Sequence, residues 1–291
     1  MADTIKIGSL DISAFKVGSS DCKIYLGDTL LYPQDATKDY FRFVSKGTGT
    51  FTFFDNGSDT ANTLSYSLDS GATWTEILNG SSTSTVQSGD TVMWKGSNLT
   101  SVSNKGIGTF SATTNFDAEG NIMSLIYGDN FEGETSLSGM DYVFMNLFSG
   151  CTSVINAENM ELPATTLSQQ CYCNFFNRAS NLTTAPSTLP AMTLENGCYF
   201  NMFYVCSAMT VAPELPALTL VTDCYKQMFR GCSSLSHIKA MFTTKPTTAY
   251  TSSWVYGVAS SGTFVKNSSA TWNVSGQNGV PNGWTITTAS S

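Results

Sequence analysis

Apolar and polar positions in the C-terminal half of the chain recur with a period of 26 or 27 residues. Each unit contains, in order, a Leu-Pro pair, a further leucine, a Cys-Tyr pair and two large apolar residues. A period in this range predicts a solenoid, in which every unit buries its apolar edge against its neighbours. The residues predicted to form the core of these repeats are Tyr172, Phe176, Tyr199, Phe203, Tyr225 and Phe229.

A short phrase follows each apolar pair and places an apolar residue three positions after its first residue. The four phrases begin at Cys151, Ala179, Cys206 and Cys232. Stacked together, they predict a narrow parallel sheet, with the Tyr and Met-Phe segments forming a turn or short helix behind it. Prolines after the second and third phrases end those strands, because proline cannot donate to a ladder.

The order Met-Phe-x-x-Cys-Ser-x-Leu, followed by Leu-Pro, resembles the leucine-rich repeats of the BspA type over residues 142–238. Such repeats occur in bacterial surface proteins and in phages of gut Bacteroidales. The closing segment 241–291 resembles the β-hairpin cap that follows these repeats, and residues 106–131 resemble the linker that precedes and caps them. Ala179 departs from the pattern where the other units carry Cys, which argues against a metal or disulfide in that column.

The N-terminal part of the chain alternates apolar and polar residues in bursts broken by Gly and Ser, which predicts several brief strands. Its phrase "KIYLGDTLLYP" resembles the attachment segments of phage virion proteins, and an ordinary β hairpin remains the alternative. From residue 40 to residue 128, short strands at regular spacing predict a β sandwich. The expected fold is mainly β, with an attachment segment (1–36), a β-sandwich domain (37–128), a leucine-rich-repeat solenoid (129–240) and a hairpin cap (241–291).

Composition and charge narrow the class of protein. Of 291 residues, 41% are hydrophobic and only 12% are charged, so a folded core is expected and strands and turns are favoured. The net charge of −8, with 14 Lys and Arg in no basic run, argues against nucleic acid as a partner. No apolar stretch is long enough to span a bilayer, and the N terminus lacks the blocks of a secretory leader, which predicts assembly in a reducing cytoplasm.

The eight cysteines are expected to act as small buried hydrophobes. Cys22 and Cys173 lie outside the repeat columns. Zinc binding is not expected, because Cys171 and Cys173 are too close together for a zinc knuckle and the chain has one His. Stacked columns bring thiols near one another, so a disulfide remains geometrically possible.

The stretch "SLDSGATW" matches the Asp box, a turn motif of sialidases and other β proteins. Ser67 opens it, Asp69 is expected to bond the turn amides, Gly71 to adopt a positive φ, and Trp74 to pack where the next strand begins. Glycosidase chemistry would also need a defined pair of carboxylates, or an arginine cluster with a Tyr nucleophile, and the chain shows neither. The box therefore predicts a hairpin turn.

Other candidates for chemistry are weak. Asp129 and Glu132 are the nearest approach to an acidic cluster, and a solvated loop is expected for them. His237 has no partners in a recognisable triad order, so a packed or surface imidazole is expected. No glycine-rich phosphate loop is present in the sequence. We therefore expect no catalytic residue, no cofactor and no metal.

The resemblance implies a non-enzymatic virion protein, a head or tail fibre of a Bacteroidales phage, including the crAss-like group. It implies N-terminal attachment to other virion proteins, a homotrimer, and repeats that present a surface to a host glycan or protein. Tyr204 and Arg230 are the candidate surface contacts, because Tyr204 occupies a column whose other members are Ser149, Asn177 and Arg230. The alternatives are a cell-surface adhesin, which requires an export signal, and a glycan-degrading enzyme, which would show turnover.

Overall fold

The computed structural model describes residues 38–56, 63–97 and 105–289, together with the backbone of four short strands nearer the N terminus. The fold is mainly β, with several sheets, none of which closes on itself. The N-terminal strands form two antiparallel pairs, β1 (Lys16–Val17) with β2 (Ser20–Asp21) and β3 (Ile24–Leu26) with β4 (Thr29–Tyr32). The other residues of segment 1–36, including Cys22, lie outside the described residues, and the attachment role of this segment stays a prediction.

Two further sheets bring their aromatic side chains together. The strands are β5 (Arg42–Ser45), β6 (Phe51–Asp55), β7 (Thr63–Ser67), β8 (Thr75–Ile77), β9 (Thr91–Ser97), β10 (Gly108–Ala112) and β11 (Phe116–Asn121). One sheet has the order β11-β5-β9-β7-β8, while β6 and β10 form an antiparallel pair. Burial alternates along β5, as a period of two requires. Its Phe43 ring centroid lies 4.9 Å from that of Phe110 on β10.

The larger sheet continues into the repeat region. After α1 (Ser124–Tyr127) and a 3-10 helix (Gly128–Asn130), the strands β12 (Val154–Asn156) and β13 (Met160–Glu161) both pair in parallel with β11. Phe148 also stacks on Phe110 of β10, with ring centroids 5.7 Å apart. The sheet and the hydrophobic core therefore run without interruption across the boundary predicted between residues 128 and 129.

From residue 142 to residue 257 the chain makes five stacked turn segments, 142–150, 170–178, 197–205, 223–231 and 249–257. Their hydrogen bonds alternate. The Phe175 N–H donates to the Tyr172 carbonyl three residues back (3.3 Å), whereas the Tyr172 N–H donates to the Cys198 carbonyl of the next segment (3.0 Å). An α-helix would use these amides for its own hydrogen bonds. The first four segments are instead runs of turns in which every second amide bonds the next segment, whereas the fifth begins within a short helix, Thr248–Thr251.

The turn segments have a backbone period of four residues. Nearly every fourth residue has a positive φ, and most of these positions carry Gly, Asn or another polar residue: Tyr142, Asn146, Gly150, Gln170, Asn174, Arg178, Gly197, Asn201, Val205, Asp223, Gln227, Gly231, Ser253 and Gly257. Two consecutive side chains then point inward and the next two outward. A period of four residues differs from that of an α-helix and that of a β-strand. It explains the sequence pattern Cys-Tyr-x-x-Met-Phe-x-x-Cys, in which apolar residues recur every four positions.

Two columns of stacked aromatic rings run through the core of the repeats. The first contains Phe144, Tyr172, Tyr199 and Tyr225, and the second contains Phe148, Phe176, Phe203 and Phe229. Successive centroids lie 5.3–5.9 Å apart with ring planes within 8–16° of parallel, inside the favourable range for offset stacking. Both columns end on the buried indole of Trp254, at 6.2 Å from Tyr225 and 6.0 Å from Phe229.

Only the first and last of the four segments predicted to form a parallel sheet are strands in the structure. The first phrase forms β12 and the last forms β14 (His237–Ala240), while the middle two make isolated bridges such as that between Val211 and His237. Side chains replace part of the missing ladder, since the Asn181 amide donates to the Thr152 carbonyl of the preceding repeat at 3.0 Å. Short polar side chains compete in this way with backbone pairing.

The hairpin predicted for residues 241–291 is wrong. After α2 (Thr248–Thr251), the strands β15 (Thr263–Asn267) and β16 (Thr285–Ala289) join β14 in a three-stranded sheet whose neighbours all run parallel. Parallel strands need a long crossover, and residues 268–284 supply it while Trp272 stacks on Phe242 with ring centroids 5.3 Å apart. In the part of the chain that the structure describes, no helix is long and apolar enough to cross a membrane.

Candidate functional site

The outward side of the turn segments forms one surface, which we call the turn face. Because each buried pair of side chains is followed by an outward pair, residues at equivalent positions lie above one another along the stack. Hydrogen bonds between successive segments hold these positions in register. The turn-face side chains with recognition chemistry are Arg178, Phe200, Tyr204, Lys226, Arg230 and Tyr256.

A ladder of Tyr204, Arg230 and Tyr256 occupies one position in three successive segments. The guanidinium carbon of Arg230 lies 5.9 Å from the ring centroid of Tyr204 and 5.2 Å from that of Tyr256, within cation–π range. Tyr256 is 55% exposed. The sequence identifies Tyr204 and Arg230 but misses Tyr256, because the recognisable repeat spelling ends near residue 238. The spacing along the sequence could have identified Tyr256, because it follows Arg230 by one repeat period.

A second aromatic and cation pair lies beside this ladder. The ammonium nitrogen of Lys226 is 5.3 Å from the ring centroid of Phe200 on the preceding segment. The same nitrogen lies 3.2 Å from the Asp223 carboxylate, so its charge is partly neutralised. Phe200 and Tyr204 stand four residues apart on one segment, and Lys226 and Arg230 stand four apart on the next. The four-residue backbone period therefore places two rings directly beside two cations.

The turn face is locally positive on an acidic chain. Asp223 is the single carboxylate residue within the five turn segments. Neither Arg178 nor Arg230 forms an ion pair with any residue in the described ranges. This charge distribution distinguishes the face from a chain with a net charge of −8.

Carboxylates gather instead around a cleft of about 480 Å³ where the repeats meet the larger sheet. Its lining residues include Asp39, Arg42, Glu158 and Glu161. Arg42 is already paired there with Asp39 and, at 3.0 Å, with Glu119. Burial opposes the charge of Arg42, but the two carboxylates outweigh it and raise the pKa of the guanidinium. The guanidinium of Arg42 is thus already neutralised by carboxylates of the same chain.

The six residues predicted to form the repeat core lie inside the stack. Tyr172, Tyr199 and Tyr225 are each 1% exposed, and burial raises the pKa of their hydroxyls well above the ordinary value. Phe176, Phe203 and Phe229 are fully buried. Since these rings face other rings, they position the turn face and do not themselves contact a surface ligand.

The seven cysteines in the described part of the chain are buried free thiols. The Cys206 thiol donates to the Phe176 carbonyl (3.1 Å) and the Cys232 thiol to the Phe203 carbonyl (2.9 Å). Burial raises the pKa of Cys232 to about 12, which disfavours the thiolate needed for nucleophilic attack or metal binding. Among the described residues, no group of three or more His, Cys, Asp or Glu is placed to hold a metal ion.

The Asp box closes the turn between β7 and β8. The Thr73 amide (2.8 Å) and hydroxyl (2.7 Å) donate to Asp69, and the Ser67 hydroxyl donates to Asp69 at 2.7 Å. Partial burial works against the charge of Asp69, but these hydrogen bonds outweigh it and lower the pKa of the carboxyl. Gly71 has φ +87°. Trp74 packs on Tyr40 with centroids 5.1 Å apart.

Asp129 is part of a structural network. Its carboxylate accepts from the Tyr40 hydroxyl (2.6 Å) and from Lys95 (2.9 Å). Burial opposes its charge, yet these hydrogen bonds from Lys95 and Tyr40 lower the pKa of the carboxyl. Glu132 is exposed, and His237 is half-buried within β14.

Comparison with known proteins does not place the chain in a family. No protein-family model, no curated protein and no solved structure matches it.

Proposed function

We propose that this chain is a non-enzymatic structural protein of a phage virion, a head or tail fibre that attaches through its N-terminal segment and presents the turn face to the host. The observation that carries the proposal is the ladder of Tyr204, Arg230 and Tyr256 on the outside of a regularly stacked core. The ladder combines one exposed and one half-buried tyrosine ring, Tyr256 and Tyr204, with an arginine charge that no described carboxylate neutralises. Such a surface is suited to recognition.

The architecture supports a presenting role. The stacked turn segments form a solenoid of the leucine-rich-repeat type, and the strands from β5 to β11 form a sandwich-like base continuous with it. Hydrogen bonds between segments and two aromatic columns fix the spacing of the outward side chains. Side chains held on rigid elements bind an extended ligand without a large loss of conformational entropy.

The partner of the turn face is a host-surface glycan. Tyrosine offers an apolar ring face for the C–H face of a sugar and a hydroxyl for its polar edge. Tyr204, Arg230 and Tyr256 lie in three successive repeats, with one tyrosine on each side of the arginine, so one glycan chain laid along the stack contacts all three. A folded host protein remains the other partner class for this surface.

Mass spectrometry of purified particles of the phage that encodes the chain tests the proposal. The protein is expected in the particles at a stoichiometry consistent with a fibre, and electron microscopy with an antibody against residues 1–36 should place that segment at the particle surface. Absence from the particles, together with presence in a bacterial envelope fraction, would contradict the virion proposal and support a cell-surface adhesin.

Two further measurements address the assembly and the absence of turnover that we propose. Native mass spectrometry of the full chain is expected to show three copies, and a stable monomer at micromolar concentration would contradict the trimer. Incubation with isolated host polysaccharide is expected to leave its length distribution unchanged. Shortened chains that disappear when the protein is heat-denatured would instead support a glycan-degrading enzyme.

A further inference from the structure

We infer that the ligand of the turn face is an acidic polysaccharide, in which carboxylates of uronic-acid sugars pair with Arg178 and Arg230 while sugar rings stack on Phe200, Tyr204 and Tyr256. This inference rests on the proposed function, because it names the chemical class of the glycan that the turn face binds.

The charge of the turn face is opposite in sign to that of the whole chain. A chain with a net charge of −8 repels polyanions over long distances, so an acidic ligand needs a local region of opposite sign. The turn face supplies one, since Arg178, Lys226 and Arg230 lie on it and Asp223 is the only carboxylate residue in the five turn segments. Lys226 is partly satisfied by Asp223, whereas neither arginine has an ion-pair partner in the described ranges.

Arg230 retains its capacity to donate hydrogen bonds. Its guanidinium is held between two tyrosine rings by cation–π contacts at 5.9 Å and 5.2 Å. Those contacts use the charge of the group but none of its five N–H donors. Within the described part of the chain the guanidinium makes no hydrogen bond. A fixed guanidinium with free donors matches the bidentate geometry of a carboxylate.

The small number of cations on the turn face favours a sugar polymer over a nucleic acid. Both offer flat rings and negative charge, but polynucleotide binding draws its affinity from neutralising many phosphates, commonly about 6–10 contacts. The turn face has three cations, one of them already paired with Asp223. A polymer with one carboxylate on a sugar, separated by uncharged ring surface, matches the alternation of Tyr204, Arg230 and Tyr256 more closely.

The test compares one polymer in two chemical forms. Polygalacturonate carries one carboxylate per sugar, and carboxyl reduction turns it into a neutral galactan of the same length and linkage. Isothermal titration of the full chain is expected to show binding to polygalacturonate that weakens by about tenfold or more after carboxyl reduction and that weakens with added salt. Oligothymidylate of similar length serves as the nucleic-acid probe.

Matched variants assign the binding to the turn face. Arg230→Gln is expected to weaken polygalacturonate binding about tenfold, because it removes a charge-assisted hydrogen-bonding pair. Lys245→Gln removes the same charge from an exposed position outside the turn segments and is expected to leave affinity unchanged. Circular dichroism of both variants confirms that they fold. Tyr256→Ala is expected to weaken binding to the acidic polymer as well.

Four outcomes would overturn the inference: no binding of polygalacturonate, equal binding of the reduced polymer, equal affinity of Arg230→Gln and wild type, or preferential binding of oligothymidylate. The particle measurement of the proposed function is independent of these. If the protein is present in particles but does not bind polygalacturonate, only the inference about the acidic ligand is contradicted. If it binds polygalacturonate but is absent from particles, only the proposed virion role is contradicted.

Discussion

Tyr172 and Tyr199 lie face to face, with ring centroids 5.8 Å apart and ring planes 8° from parallel, although they belong to different repeats. Each amide at this position donates to the following segment, so the same register aligns the backbone and the rings. The outward side chains of those segments inherit this alignment. The geometry of the turn face thus depends on the buried columns, and changes in the core test the framework that presents it.

Replacing Tyr172 with Phe is expected to stabilise the protein. The Tyr172 hydroxyl is buried and makes no hydrogen bond within the described residues, and Phe144 already fills the equivalent position one repeat earlier. Removing an unsatisfied buried polar atom should raise the free energy of unfolding by about 1 kcal/mol, measured by urea denaturation. Tyr204→Phe, on the surface, should change it little. A loss of stability in Tyr172→Phe would mean that the hydroxyl has a partner.

Replacing Trp254 with Ala is expected to be severely destabilising. Its ring covers the last member of both aromatic columns, and its indole N–H donates to the Gly279 carbonyl at 2.9 Å. Loss of a buried Trp should lower the free energy of unfolding by about 3–5 kcal/mol. Tyr256→Ala, two residues away and exposed, should cost about 0.5 kcal/mol or less. Equal effects of the two changes in urea denaturation would show that Trp254 does not close the stack.

Replacing Val205 with Asn is expected to stabilise the turn segments. Val205 has φ +58°, a left-handed conformation that β-branched residues disfavour, and Gly150 and Gly231 occupy the equivalent positions. Because Asn tolerates the left-handed region, thermal denaturation should show that the free energy of unfolding rises by about 1 kcal/mol. Gly150→Ala tests the reverse, because nothing lies within 4 Å of the added Cβ. It should cost a similar amount, and a neutral result for both would argue against backbone strain.

Replacing Asp69 with Ala is expected to loosen the β7–β8 turn. The carboxylate accepts hydrogen bonds from Ser67 and Thr73, and its loss should lower the free energy of unfolding by about 1–2 kcal/mol. Since the folded pKa of Asp69 is lowered, this contribution is present above the ordinary value of 3.8 and is lost as the pH falls through the folded pKa. The gap between variant and wild type should narrow in acid. Exposed Glu76→Ala serves as the control.

Because burial raises the pKa of the Cys232 thiol, the protein is expected to lose stability at high pH. Cys232 stays protonated in the fold until about 12, whereas in the unfolded chain it ionises near the ordinary pKa of 9.0, so its contribution is complete below pH 9 and declines above it. Between pH 9 and 10, Cys232→Ala should reduce the fall in unfolding free energy by about 1 kcal/mol per pH unit relative to wild type. Ser233→Ala should leave the slope unaltered. Identical slopes in all three proteins would show that Cys232 ionises normally.

The repeat and its aromatic core could be derived from the sequence because a period is a local property. Each unit spells the same apolar residues at the same spacing, and stacking is the arrangement that buries them. The Asp box was equally local, since Ser67, Asp69 and Thr73 bond within one turn. The mainly β character also followed from composition and short strand signals.

Only the tertiary structure decided how the repeats end and which outward side chains contact one another. The sequence suggested a hairpin after the repeats, but β15 pairs in parallel with β14 and β16, because its partners are chosen by packing over the end of the stack. The same packing places Tyr256 beside Arg230. Apolar spacing determines which side chains a unit must bury. Strand direction and the neighbours of an outward side chain depend on contacts between units, which no single unit encodes.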